Sequence, residues 1–357
     1  MKRRLSGHLP SVAFGAVLAI SAVALLNLVG CGSSTPAPAA THASLTGTAA
    51  AQPERVGPYE ITTTCGMVTD IVRVIAGEHA TVSGMIGEGI DPHLFTAGRE
   101  DVQALLSADV VFYSGLMLEG RLADNFAQVG RKGKPVYAVT EGLDKKLLRE
   151  PPEFEGHWDP HVWMDVSAWS QCAGFAGEAL AEFDATHADS YKANAQAYQT
   201  QLAELHNYCR QVIGIIPEKS RYLVTAHDAF GYFGSAYGIE VRAIQGVSTE
   251  SEAGLADINN LVDFIIENQV PAIFVESSVS EANIKAVIVG CAGRDWELKI
   301  GAKLFSDAMG APGTYEGTYI GMMDHNATKI ARALGGEAPA GGWQGKLATE
   351  EQDATAE

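Results

Sequence analysis

The sequence predicts an α/β protein of two lobes, with parallel-type sheets flanked by helices and one long rigid helix joining them. Two observations carry this expectation. In 58–186 and again in 218–335, short apolar runs alternate with segments of helical periodicity, the pattern of βαβ units. Between them, 187–217 reads as a single helix with no Gly or Pro before Gly214.

The elements follow in order. YEITTT reads as a strand, and Met67, Ile71, Val74 and Ile75 after it have helical spacing. ATVSG is a strand leading into the Gly-rich loop MIGEGIDPHLFTAG, and REDVQALLSA is a helix that ends before the buried strand DVVFY. Another helical stretch leads to the strand in KPVYAVTEG. In the linking helix, Tyr191, Ala195, Tyr198, Leu202, Leu205 and Cys209 recur at three- and four-residue steps. A helix of about 25 residues is roughly 37 Å long at 1.5 Å per residue, enough to run the height of the molecule. The second half repeats the alternation in SRYLVTAHDAFGYFGSAYG, IEVRAIQGVS, ADINNLVDFIIENQV, PAIFVESS, SEANIKAVIVGC and KIGAKLFSDAMG. No period of 20 to 50 residues appears, which excludes a solenoid.

The ends differ in kind. Lys2, Arg3 and Arg4 precede the apolar run SVAFGAVLAISAVALLNLVG, so 1–30 is expected to be a targeting segment. LVGC resembles a lipobox, in which Cys31 is acylated after cleavage; an uncleaved anchor helix is the alternative. Residues 31–57, rich in Ala, Ser, Thr, Pro and Gly, are expected to be a flexible tether, and 336–357 a disordered tail. Both readings of the start place the folded part outside the cytoplasmic membrane; with Cys31 acylated, the protein is expected to be a membrane-anchored lipoprotein on the periplasmic or extracellular face. Roughly 280 residues remain for the fold, enough for two lobes.

The chain carries 25 basic and 43 acidic side chains; without the three basic residues of the targeting segment the balance is 22 against 43, a net charge of −21. That charge disfavours nucleic acid and anionic membrane surfaces and suits a cationic ligand. Apart from Cys31, the cysteines are Cys65, Cys172, Cys209 and Cys291. None forms a C-x-x-C pair, so a thiolate metal site is not expected, while disulfides remain open in an exported protein.

Of ten histidines, three stand apart. His93 and His161 each follow Asp-Pro, whose ring fixes φ near −65° and stiffens the turn. His227 ends the strand in YLVTAH, and Asp307 follows the strand KLF. All four are expected near the leaving ends of strands or in the loops leaving them, the edge where open α/β sheets place ligands. Three imidazoles and a carboxylate suit a first-row divalent metal. Loop histidines satisfied by backbone carbonyls would account for the same positions.

The stretches GMIGEGIDPHLFTAG, HWDPHVWMD, VTAHDAFGYFGSAYG, IFVESSVS and LFSDAMGAPGTYEGTYIGMMDHN resemble the zinc/manganese-binding solute receptors of ABC transporters. The resemblance runs from about 59 to 335. It implies two α/β lobes on one rigid helix, with metal ligands at His93 and His161 in the first lobe and His227 and Asp307 in the second. The implied function is capture of a divalent ion, Zn²⁺ or Mn²⁺, for delivery to a membrane permease driven by an ATPase. The protein itself is expected to be a monomer without enzymatic activity. No Walker motif or multi-span pattern occurs in the chain, so transport itself falls to other subunits.

Histidine at 227 makes the set nitrogen-rich and favours zinc, whereas the short loop before His161 and the stretch GTYIGMMDHN look closer to the branch that also binds manganese. His157, in that loop, is a candidate auxiliary ligand. Glu276, in IFVESS, and Asp228 are candidates to hold a ligand imidazole through its second nitrogen. A metal-dependent hydrolase is the alternative, although four protein ligands leave little room for a substrate water. A lipid-anchored adhesin with a structural metal is a third reading.

Overall fold

The computed structural model describes residues 58–348. The targeting segment, Cys31, the tether and the end of the tail lie outside the described residues.

The first half builds a four-stranded parallel sheet in the order β2-β1-β3-β4. Its strands are β1 (Tyr59–Thr63), β2 (Ala80–Gly84), β3 (Val110–Tyr113) and β4 (Val136–Ala138), connected through α1 (Gly66–Ala76), α2 (Arg99–Ser107) and α3 (Ala123–Arg131). Along β3 the side chains alternate between two cores, as a strand covered on both faces requires: Val110 and Phe112 enter the main core, Val111 a smaller one with Leu105, Leu122 and Phe126.

The sequence marks no helix between β4 and the linking helix, yet an 18-residue helix, α4 (Val166–Phe183), lies there. Small buried residues, among them Ala168, Ala173, Ala176 and Gly177, take the place of a sharp apolar stripe. At Gly177 a Cβ would stand 2.7 Å from that of Ala195, so glycine permits the close approach of the next helix. That helix, α5 (Ala188–Gly214), has 27 residues, about 40 Å at 1.5 Å per residue. It buries Tyr191, Ala195, Tyr198, Leu202, Leu205 and Cys209, the stripe that the sequence spacing marks out.

The second half runs β5 (Tyr222–His227), α6 (Gly231–Tyr237), β6 (Glu240–Gln245), α7 (Leu255–Glu267), β7 (Ala272–Glu276), α8 (Ala282–Ala292), β8 (Lys299–Leu304) and α9 (Tyr319–Ala333). Its strands form two parallel pairs, β5-β6 and β7-β8, with β5 packed beside β7. Phe274 faces the main core and Ile273 and Val275 a second one, again by alternation. The four cysteines at 65, 172, 209 and 291 are buried free thiols.

The long helix is not alone in joining the halves. α9 packs on α5 and α1, and the main core is continuous from β1 to α9. The Asp70 carboxylate, buried on α1, accepts from the Tyr198 hydroxyl of α5 (3.1 Å) and from the Tyr319 amide at the start of α9 (3.0 Å). An anion there also suits the positive end of α9. The segment 336–348 corrects the expected tail: Ala338 and Leu347 are buried, and the Trp343 amide donates to Asp324, so apolar contacts tie this stretch down.

Asp70→Ala removes the acceptor shared by Tyr198 and Tyr319 and leaves two buried donors unpaired. Urea unfolding of the metal-free protein is expected to show a loss of about 1–3 kcal/mol, with Asp70→Asn recovering part of it.

Candidate metal centre

Four side chains from four separate connections converge between the two halves. His93 lies in the loop between β2 and α2. His161 begins a 3-10 turn, Val162–Met164, just before α4. It lies far along the connection that leaves β4, not at the strand end itself. His227 is the last residue of β5, and Asp307 follows β8.

Both Asp-Pro-His stretches are the same turn. The Asp91 carboxylate accepts from the His93 amide (2.8 Å) and the Asp159 carboxylate from the His161 amide (3.0 Å). Aspartate closing on the backbone two residues on is an Asx turn, and the intervening proline has no N–H to compete.

The four side chains are buried, and one donor atom from each lies within 4.8 Å of all the others. His93 Nε2 is 3.2 Å from His161 Nε2; His161 Nε2 is 3.3 Å from Asp307 Oδ1; His227 Nε2 is 3.1 Å from Asp307 Oδ2. Donors about 2.0–2.2 Å from one cation lie about 3.3 Å apart in a tetrahedral shell. His227 Nε2 and Asp307 Oδ1 are buried without a hydrogen bond, as expected of atoms aimed at a cation.

A family model described as zinc-uptake complex component A, periplasmic (ZnuA), matches residues 61–333. The chain belongs to this family. It is 44% identical over 276 residues to the manganese-binding lipoprotein MntA of Bacillus subtilis (strain 168), covering 77% of this chain and 89% of that protein. It is 33% identical over 285 residues to the metal ABC transporter substrate-binding lipoprotein FimA of Streptococcus parasanguinis, covering 78% and 90%. The solved structure of the periplasmic zinc-binding protein TroA from Treponema pallidum superposes with a TM-score of 0.75 at 42% identity, covering 78% of this chain and 99% of that one.

In this ZnuA-family chain two imidazoles are oriented from behind. His227 Nδ1 stands 2.5 Å from Glu276 Oε2, while Glu276 Oε1 accepts the Ala226 and His227 amides (2.7 and 2.9 Å) and so grips the end of β5. His161 Nδ1 stands 2.8 Å from Asp159 Oδ1. Neutral imidazole has one N–H, and a carboxylate on Nδ1 keeps that proton there and leaves Nε2 as a donor to metal. Glu276 is where the sequence reading looks for such a partner. Asp159 is the partner it passes over, although the signal was present: the aspartate of Asp-Pro-His lies within reach of the same histidine's ring. Asp228 lines an open groove with Arg149 and Arg242, and His157 is exposed against the Phe154 ring and outside the four-residue group.

The backbone ties are as close as the side-chain ones. Trp163 Nε1 donates to the Ser306 carbonyl (3.0 Å), which fixes the turn after His161 to the residue before Asp307. The Tyr319 hydroxyl donates to the Trp163 carbonyl (2.6 Å).

Charge is unevenly shared in the metal-free group. Burial disfavours the charged form of His161, but its bonds to Asp159 and Asp307 outweigh it and raise the imidazole to about 9. His227 is likewise disfavoured by burial yet raised well above its ordinary value by Glu276 and Asp307. Burial opposes ionisation of Asp307, but His227 and His161 hold it well below the carboxylate range. His93, with burial dominant, falls to about 3.

A histidine raised on folding contributes stability that is full below its unfolded pKa near 6.5 and is lost as pH rises through the folded value. The metal-free protein is therefore expected to lose stability between pH 6.5 and about 9, and His161→Gln to flatten that decline in urea unfolding curves taken across the range.

Proposed function

We propose that this protein is an extracytoplasmic receptor of an ABC transporter, capturing Zn²⁺ or Mn²⁺ between its halves and delivering the ion to a membrane permease. The observation that carries the proposal is the buried convergence of His93, His161, His227 and Asp307, with two imidazoles fixed by carboxylates behind them. Family membership, and relatives whose names specify manganese, zinc and ABC transport, support the same reading.

The four residues act as the ligands. Three imidazole nitrogens and a carboxylate bind first-row divalent ions, with zinc above manganese in intrinsic affinity. Asp307 turns its two oxygens toward different imidazoles, which also suits a larger coordination shell. Four protein ligands in a buried site favour holding an ion over activating water, so the protein acts as a carrier without turnover. Among the described residues no helix is long and apolar enough to cross a membrane. Attachment falls to acylated Cys31, and passage of the ion to a permease and its ATPase. The receptor works as a monomer.

Equilibrium dialysis with elemental analysis tests this directly. Wild-type protein is expected to hold one ion, with zinc displacing manganese. His161→Ala and Asp307→Ala are expected to lose more than the 10–100-fold in affinity typical of removing an outer partner. Stoichiometric binding unchanged in both variants would contradict the assignment.

A further inference from the structure

The four donors are not held alike. His161 and Asp307 are locked to each other by the buried Trp163–Ser306 bond, and His227 is fixed to β7 by Glu276. His93 keeps 6% exposure, against 0%, 0% and 1% for His161, His227 and Asp307. It forms the outer wall of the group.

The turn that carries His93 is held from the opposite half directly at Asp91 and, on the other flank, through Arg121. Asp91 Oδ1 accepts the His93 amide, and its other oxygen, Oδ2, accepts the Thr249 hydroxyl at 2.5 Å. Thr249 belongs to the loop between β6 and α7 in the second half. On the other flank, Arg121 Nη1 donates to the Leu94 carbonyl (3.0 Å), while Arg121 Nε pairs with Glu250 Oε1 (3.0 Å). Residues 91 and 94 thus bracket His93, and their partners lead to the adjacent residues 249 and 250. The Arg121–Glu250 pair is exposed and screened, so it adds little. The Thr249–Asp91 bond is part-buried and made to a carboxylate, which makes it the stronger of the two.

We propose that Thr249 is a positioning residue for ion capture, holding the Asp91–His93 turn closed over the site so that breaking the Thr249–Asp91 bond is the step that lets the ion leave. The proposal rests on the receptor reading above. It places release at His93, because His161 and Asp307 are tied through the Trp163–Ser306 bond and His227 through Glu276, and those bonds must survive for the site to keep its shape. A cavity of about 210 Å³ lined by Asp307 together with Thr69, Arg73, Ile86, Met309 and Pro312 is the competing exit.

Zinc release into excess chelator, followed by stopped flow in the full-length protein, separates the two. Thr249→Val keeps the shape and loses the hydroxyl; it is expected to release zinc about tenfold faster, equivalent to about 1.4 kcal/mol. Thr249→Ser restores the donor and is expected to stay within about twofold of wild type. A wild-type rate for Thr249→Val, or a Thr249→Ser rate equal to that of Thr249→Val, would each overturn the proposal. So would faster release from Met309→Ala alone, which would put the exit at the cavity. A wild-type protein that takes up no zinc removes the receptor reading along with this one; zinc uptake with unchanged release removes only this one.

Discussion

Two buried carboxylates, Asp159 and Glu276, each hold the back of an imidazole whose front faces a third, Asp307. The remaining structure answers to that arrangement. Carboxylates and imidazoles taken out of water are costly unless each finds a partner, and here the partners are one another, the backbone amides at the end of β5 and in the second Asx turn, and Arg149 Nε at 3.5 Å from Asp159. The ring directions follow. With Nδ1 engaged behind, Nε2 of His161 and His227 can only point at Asp307.

The fold supplies the stiffness this demands. Parallel strands covered on both faces end where β5 presents His227 and where the loop after β8 carries Asp307. α4, α5 and α9 pack through one continuous core, so the two halves meet along a broad seam, not a single connector. Within it, Asp70 and Tyr319 fasten the start of α9 to α1, and Trp163 fastens the His161 turn to the Asp307 loop. The result is a centre with three rigid walls and a fourth, at His93, held across the cleft by Thr249.

Much of this was legible in the sequence because it depends on local pattern. The alternation of apolar strands and helices, the stripe on α5 and the strand ending at His227 are short-range features. The doubled Asp-Pro-His marks two of the four side chains that converge, and Glu276 ends a strand on the same rim. What was not legible depends on residues meeting over long distances. Small residues conceal α4, because its partners accept it on several sides. The packing of 336–348 rests on Asp324 and on burial of Leu347. Thr249 carries no motif; its role comes from a loop that the fold sets opposite Asp91, 158 residues away in the chain. The aspartates of the two turns were misjudged for a different reason. Proline drew attention as the stiffening element, whereas the aspartate closes the turn and, at Asp159, also directs the ring.

In the metal-free protein a proton on His161, held between Asp159 and Asp307, keeps the centre together until a metal ion replaces it. Calorimetric titration of the metal-free protein with Zn²⁺ at pH 7.5, repeated in buffers of differing ionisation enthalpy, counts the protons expelled. His161 is raised to about 9 and so is protonated at that pH, His227 is raised from its ordinary value by Glu276 and Asp307, and His93 is already neutral. The account predicts release of at least one proton per ion bound, the one on His161. Binding with no proton release would contradict it.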